Sequence, residues 1–200
     1  ISASNVIEGI ETGEFGVLKN GTKSDNYTPP IHLKAKFSFF AEGSRGHLGK
    51  KLIKRYKLDE NSSPQSYSLG IKELWEVPES LSKPGKIFHG FGWPLGSSNY
   101  GGSFLYHMNN FQISIGLIVG LNYKNPWLSP FEEFQKLKKH PKIEKLLING
   151  KRIGYGARTI TGGGLFSLPK IYFPGGALLG CDAGFLNPAK IKGTHTAIKS

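Results

Sequence analysis

The sequence predicts two architectures in one chain, α/β at both ends and α+β between them. Strand-like runs lead through small or acidic turns into helices at "IHLKAKFSFFAEGSRGHLGKKLIKRYKL" and again at the closing "GCDAGFLNPAKIKGTHTAIKS", the order that begins a crossover unit on a parallel sheet. From Ser66 the pattern changes to strands joined by hairpins, "SYSLGIKELWEV", "GKIFHGFGWPL", "GSFLYHM" and "FQISIGLIVGL", as in a mainly antiparallel sheet. The loop "DENSSPQ" shifts the composition where one pattern gives way to the other and marks a domain boundary.

Taken in order, Ile1 to Gly21 reads as a strand pair with glutamates and glycines at its turn. After the Pro-rich loop at Thr28 to Pro30, Ile31 to Gly43 alternates and then becomes continuously apolar, as one strand does on entering a sheet covered on both faces. Leu48, Leu52, Ile53 and Tyr56 then recur at helical spacing with lysines opposite. Asn109-Asn110 tolerates the positive φ of a two-residue hairpin turn. "SPFEEFQKLKKHP" opens on a Ser-Pro cap, puts Phe131, Phe134 and Leu137 on one side and sets Glu132 four residues before Lys136, so it reads as an amphipathic helix. "KRIGYGARTI" is another strand, and "KIYFPGGALLG" a strand broken at Pro174-Gly175-Gly176. A chain that begins in a hairpin and ends in a helix reads as an excerpt of a longer one.

With 38% hydrophobic and 12% aromatic residues, 200 residues can bury a core. Many of the 27 glycines sit inside apolar runs, which suits backbone that approaches a ligand closely. A net charge of +12 admits nucleic acid, an anionic membrane surface or a phosphate-bearing cofactor as partner. The lysines, however, are scattered over Lys50 to Lys57 and Lys136 to Lys145 as on solvated helix faces, and the aromatics lie in apolar strand patterns, which disfavours nucleic acid. The single cysteine, Cys181, excludes a disulfide framework, a zinc ribbon or a cysteine-ligated cluster within this chain. The six histidines offer no metal-ligand spacing, and the longest apolar stretch, Phe111 to Leu121, is too short to span a membrane.

Three places can carry chemistry. "AEGSRG" brings backbone and the Glu42 carboxylate to the carboxyl end of a parallel strand, where a carboxylate can accept from ribose or ribityl hydroxyls; an ordinary strand-to-helix turn has the same appearance. The terminal segment supplies Gly180 and Gly184 for close approach, a carboxylate at Asp182, and Gly193-Thr194 opening a helix whose free N–H groups suit a carbonyl or a developing anion, such as that of a reduced flavin. In "NYGGSFLYH" two adjacent glycines leave backbone uncovered for a flat ring, the alternative being a glycine bulge at a sheet corner. A dinucleotide fingerprint is absent: "GYGART" and "GFGWPL" lack the third glycine and its strand-to-helix context, so any FAD site is at most half a site.

"FAEGSRGHL", "GIKELWEV", "GWPL", "YGGSFLYHMN", "GLIVGLNYKNPWLSPFEEFQKLKKHPKI", "GKRIGYGART" and the terminal segment, in that order, resemble the electron transfer flavoprotein:ubiquinone oxidoreductase family over essentially the whole chain. The resemblance implies a flavoenzyme with FAD, one [4Fe-4S] cluster and a ubiquinone site. It implies association with the bacterial cytoplasmic membrane or the mitochondrial inner membrane, and electrons passing one at a time from reduced electron transfer flavoprotein to ubiquinone. It also implies an internal fragment: the second half of a Rossmann-like FAD-binding domain (residues 1–65 and 161–200) interrupted by a mainly antiparallel-sheet ubiquinone-binding domain (residues 66–160). The cluster cysteines and the pyrophosphate-binding unit then lie outside the chain.

By the same resemblance the quinone head group falls at Tyr100, Gly101 and Gly102. FAD falls at Ala41, Glu42, Gly43 and Gly46, at Gly180, Cys181, Asp182, Ala183 and Gly184, and at Gly193, Thr194, His195 and Thr196. Many flavoproteins of the wider fold carry an aspartate directly after the first glycine of the terminal motif; here Cys181 holds that place and Asp182 follows, which leaves open which one lies by the ribityl chain. The implied partners are electron transfer flavoprotein, ubiquinone and a membrane surface. Trp127 to Leu137 and Phe111 to Leu121 either belong to a surface through which a long-tailed quinone enters from the bilayer or pack together as core. The competing readings are a flavin-dependent hydroxylase or geranylgeranyl-reductase-like enzyme of the same two-domain plan, and a basic membrane-surface or nucleic-acid-binding module.

Overall fold

The computed structural model describes residues 5–187 and 193–200. The first elements are short: β1 (Gly9–Glu11), β2 (Phe15–Val17), β3 (Lys23–Thr28) and β4 (His32–Lys34). Of the strand pair expected within Ile1 to Gly21, the first four residues lie outside the described ones, and the remainder divides between two partners. β2 pairs with β3, and β1 pairs antiparallel with β4. The reason is the position of the tight turn: Asn20 Oδ1 accepts from the Thr22 N–H at 3.1 Å and Gly21 adopts φ 82°, so the chain reverses there.

The single strand expected over Ile31 to Gly43 is also two. After β4 the Ala35 N–H donates to the Glu8 carbonyl, and then the Ser38 N–H donates to the Gly175 carbonyl, so the backbone leaves one sheet for another and β5 (Ser38–Phe40) begins. The helix α1 (His47–Tyr56) follows, with Leu52 buried, Leu48 on the exposed side and Lys57 closing it in the left-handed region.

The middle of the chain is one antiparallel sheet. Its strands are β6 (Tyr67–Glu76), β7 (Ile87–Phe91), β8 (Gly101–His107), β9 (Gln112–Gly120) and β10 (Lys151–Thr161), in the spatial order β10-β6-β9-β8-β7. Period-two alternation puts Ile113, Ile115, Leu117 and Val119 of the central strand on one face, each no more than 1% exposed. They pack on Phe134, Leu137 and Leu147 from α2 (Pro130–Lys138) and α3 (Pro141–Leu147), together with Val77, Leu95 and Leu105. Burial of each such side chain stabilises the fold by about 1.5–3 kcal/mol. Within Phe111 to Leu121, therefore, Ile113, Ile115, Leu117 and Val119 are core, while Phe111 and Leu121 at its ends are exposed.

Three local expectations are corrected. The left-handed residues of the β8–β9 turn are Asn110 and Phe111, both at φ 57°, and the Met108 N–H to Gln112 carbonyl bond makes the loop longer than two residues. Phe131 is 55% exposed and stands apart from the core that buries Phe134 and Leu137. Lys136 pairs with Glu133 at 2.7 Å rather than with Glu132. The Ser129 cap is present, its hydroxyl accepting from the Glu132 N–H at 3.4 Å.

A buried charge cluster ties α2 to the sheet. Glu73, 3% exposed, accepts from Lys138 Nζ at 2.9 and 3.0 Å, Arg152 Nη1 at 3.1 Å and Trp75 Nε1 at 2.8 Å. Burial pushes the Glu73 carboxyl up, but these donors outweigh it and hold the group below its usual range.

The last elements are β11 (Tyr172–Phe173), β12 (Gly176–Leu178), α4 (Gly180–Ala183) and α5 (Thr194–Lys199). β12 pairs antiparallel with β11 and parallel with β5, the one parallel pairing among the described residues. A second core of Ile7, Phe40, Leu52, Leu58, Phe173, Leu178 and Ala183 lies beside it. The small-residue turn expected after β12 is itself one turn of helix, α4, entered at Gly180 (φ 56°) and left at Gly184 (φ 95°). The architecture is mixed α/β with a mainly antiparallel sheet.

Candidate functional site

The face of β7, β8 and β9 turned away from α2 and α3 borders a cavity of about 700 Å³, closed on its other side by the carboxy-terminal segment. Gly101 and Gly102 lie on its wall with Tyr100, and Phe104, Ile118, Ile160, Leu186 and Ala197 make it largely apolar. Cys181, Gly193 and Thr194 face it from the terminal segment. The size and apolar character suit a flat organic ring system.

The glycine pair has a reason inside the sheet. A Cβ on Gly102 would stand 2.7 Å from the Gly90 carbonyl, and one on Gly101 would meet the Ile118 carbonyl and the Leu95 side chain. Both residues pair in regular register, Gly101 with Val119 and Gly102 with Ile118, so no bulge interrupts the ladder at this corner. Neighbouring backbone thus occupies the positions a side chain would take, and the strand faces the cavity bare.

A second cavity, of about 390 Å³, lies beside the first and is more polar. Arg45, Gly46, Lys50, Thr161, Asp182 and Gly184 are on its wall, and Cys181 borders both cavities. Thr161 and Asp182 are only 3% and 8% exposed, yet Thr161 Oγ1 and Asp182 Oδ2 have no hydrogen-bond partner among the described residues. An unsatisfied buried polar atom costs about 1–3 kcal/mol, so such atoms gathered at one cavity point to a hydroxyl-bearing or donor-bearing ligand.

The acidic turn is built around α1. Glu42 Oε2 accepts from the Leu48 and Gly49 N–H groups, each at 2.8 Å, and so caps the positive end of the helix. Asp182 comes in beside it: a Cβ on Gly46 would lie 2.5 Å from Asp182 Oδ1 and 2.7 Å from Glu42 Oε2, and a Cβ on Gly49 would overlap the Asp182 carboxylate. Burial, then the Glu42 charge, push the Asp182 carboxyl up to about 6, against the lowering effect of bonds from the Glu42 and Gly46 backbone.

The predicted residues therefore separate. Tyr100, Gly101, Gly102, Cys181, Gly193 and Thr194 meet at the apolar cavity; Gly46, Cys181, Asp182, Ala183 and Gly184 meet at the polar one. Ala41 and Glu42 border a shallower groove by β5, and Gly43 sits in the turn at φ 86°. The Gly180 N–H donates to Ser200 Oγ at 2.9 Å, and Thr196 Oγ1 donates to carbonyls of its own segment, those of Phe185 and Gly193, at 2.8 Å. His195 is exposed and borders neither cavity. Residues 188–192, part of the terminal motif, lie outside the described ones.

Sequence reasoning missed His89, Phe104 and Tyr106 at the apolar cavity and Arg45 and Thr161 at the polar one. Alternation from Gly102 would have put Phe104 and Tyr106 on its face of the strand. Among the described residues no cluster of His, Cys, Asp or Glu could hold a metal ion, and no helix is long and apolar enough to cross a membrane.

The fold is shared with solved structures of low sequence identity. It is similar to a geranylgeranyl bacteriochlorophyll reductase-like protein from Thermoplasma acidophilum, with a TM-score of 0.64 and 17% identity over 93% of this chain and 45% of that one. It is also similar to a flavin-dependent brominase, with a TM-score of 0.57 and 14% identity over 100% of this chain and 46% of the other. Residues 67–160 match the family model described as ETF-QO, ubiquinone-binding. An electron transfer flavoprotein-ubiquinone oxidoreductase of Pseudomonas aeruginosa is 56% identical over 201 residues, 100% of this chain and 36% of the relative. The mitochondrial enzymes of the same name from Arabidopsis thaliana and Homo sapiens are 54% and 51% identical, over 99% and 97% of this chain and 32% of each relative. Over almost its whole length this chain is thus similar to enzymes named electron transfer flavoprotein-ubiquinone oxidoreductase, and it spans about a third of the length of these relatives.

Proposed function

We infer that this chain supplies the quinone cavity and part of the FAD-binding surface of an enzyme that takes electrons from reduced electron transfer flavoprotein and delivers them to ubiquinone. The observation that carries this reading is the shared wall at Cys181, where an apolar cavity bordered by Gly101 and Gly102 adjoins a polar one bordered by Asp182 and Thr161.

The chemistry of the two cavities fits FAD. A flavin ring suits the apolar side at Cys181, Gly193 and Thr194, and ribityl hydroxyls suit the unpaired Asp182 Oδ2 and Thr161 Oγ1. Arg45 and Lys50 suit phosphate further along. When bound, the flavin supplies a carrier that holds and releases electrons. The chain's own part would be to hold and exclude: Arg45 and Gly46 with the Cys181 to Gly184 segment would border the cofactor, and Gly193 and Thr194 would stand at its ring. Gly101 and Gly102 let a quinone ring lie against backbone beside Tyr100, while the apolar lining keeps water out.

On this reading residues 66–160 are a ubiquinone-binding domain set into a Rossmann-like FAD-binding domain to which residues 1–65 and 161–200 belong. A [4Fe-4S] cluster belongs to other parts of the polypeptide, since one cysteine cannot ligate it. Membrane contact, in a bacterial cytoplasmic or mitochondrial inner membrane, draws on exposed aromatics such as Trp127 (90%) and Phe131 (55%). The test is steady-state assay of the flavin-loaded full-length protein with reduced electron transfer flavoprotein and short-chain ubiquinone. Quinol formation is expected; bound FAD without quinone reduction, accompanied by hydroxylation or alkene reduction, supports the competing flavoprotein reading instead.

A further inference from the structure

Reduction of a quinone to a quinol consumes two protons as well as two electrons, and an apolar cavity is a poor source of protons. Among the described residues that line the large cavity, the ionisable ones are His89, Tyr100, Tyr106 and Cys181. Two of these are coupled: Tyr106 Oη lies 3.0 Å from His89 Nε2.

The arrangement is built by the sheet. His89 stands opposite Phe104 across β7 and β8, which makes Tyr106 its diagonal neighbour on the same face, with ring centroids 5.6 Å apart. Phe104 stacks on Tyr106 at 4.8 Å and 28° and fixes the phenol ring. β7 is an edge strand and His89 is exposed, whereas Tyr106 is half-buried, so the pair runs from solvent into the cavity.

No carboxylate, lysine or arginine lines the cavity among the described residues. Thr194, Ala197 and Ile198 face it from α5, Ile118 from β9 and Ile160 from β10. Lys86 lies over the Phe88 ring, and Phe88 pairs with Leu105 on the opposite face of the sheet. His89 is thus the one imidazole among the described lining residues, a group able both to take up and to release a proton.

We propose that Tyr106 and His89 carry protons from solvent to the quinone bound in this cavity. The inference rests on the quinone-reducing reading above. In each turnover one quinone takes two electrons from the enzyme's reduced flavin and two protons from water and leaves as one quinol. For one of these protons, the Tyr106 O–H bond breaks as an O–H bond forms on the quinone oxygen beside it; the oxygen across the ring takes its proton from water by another route. His89 then returns a proton to the phenolate oxygen, and water re-protonates the imidazole. Tyr106 is the catalytic residue; His89 acts through it.

The test compares wild type, Y106F and H89Q in the flavin-loaded full-length protein with two acceptors. Short-chain ubiquinone needs protons, and ferricyanide takes one electron and none. The ratio of ubiquinone to ferricyanide turnover should fall on the order of 10²-fold in both variants, through kcat rather than KM. The pH profile of wild-type quinone reduction should be altered in H89Q. In the oxidised protein, short-chain ubiquinone should shift the His89 ring nitrogen resonances in wild type and not in Y106F. Phenylalanine keeps the stack on Phe104, so Y106F reports on the hydroxyl rather than on folding. An unchanged ratio, or equal losses with both acceptors, overturns the proposal while leaving the functional reading in place. Wild type that reduces ferricyanide but never ubiquinone overturns both.

Discussion

The carboxylates of Glu42 and Asp182 converge at the start of α1, in space that Gly46 and Gly49 leave open. Asp182 is the buried member, and its carboxyl is raised from an ordinary 3.8 to about 6. The folded state therefore binds more protons than the unfolded chain between these values. The stability this gives is fully present below about pH 4 and is lost as pH rises through about 6. D182N removes the charge and keeps the shape. It should be more stable than wild type by about 1–3 kcal/mol at pH 8 and indistinguishable at pH 4. Urea midpoints at the two pH values measure this, and a D182N less stable than wild type at pH 8 would contradict it.

The same junction makes a steric prediction. A methyl group on Gly49 overlaps the Asp182 carboxylate, so G49A should destabilise by about 1–3 kcal/mol despite alanine's better helix propensity. Combining G49A with D182G should recover most of that loss, a coupling visible in a double-mutant cycle. Additive losses would show that the two residues do not share the space.

Glu73 is the third point of leverage. E73A leaves Lys138 buried without its partner and should cost about 3–5 kcal/mol. Because the Glu73 carboxyl is held low in the folded state, its contribution is present above its ordinary 4.5 and fades as pH falls through the folded value. Thermal unfolding of E73A with K138M should recover much of the loss; a double variant no better than E73A argues against charge burial as the cause.

These sites show what was legible in the sequence. The middle sheet was readable because Ile113, Ile115, Leu117 and Val119 alternate without interruption. The first forty residues were not: their strands are of three to six residues and mostly exposed, so turn chemistry at Asn20-Gly21 outweighed any apolar period. At the cavity, Gly101-Gly102 stood out in the sequence, but the carbonyls of Gly90 and Ile118 that demand glycine come from neighbouring strands no local pattern names. Thr161 was invisible for the same reason, and Tyr106 could be placed on the face of Gly102 by alternation but its pairing with His89 only by cross-strand register. Between Cys181 and Asp182 the choice stays open, since both border the polar cavity.

Gly102 joins stability to function. G102A places a methyl 2.7 Å from the Gly90 carbonyl, so β7 must shift from β8, lowering Tm by several degrees. Quinone reduction should fall with a raised KM while ferricyanide reduction is spared. A G102A protein with unaltered KM for short-chain ubiquinone would place the ring elsewhere.

The most direct test of the account is photolabelling of the flavin-loaded full-length protein with an azido-ubiquinone, mapped by peptide mass spectrometry. Label is expected within Tyr100 to Tyr106 and at His89, with protection by excess short-chain ubiquinone. Protectable label elsewhere, with these residues unmodified, would contradict the assignment of this cavity to the quinone.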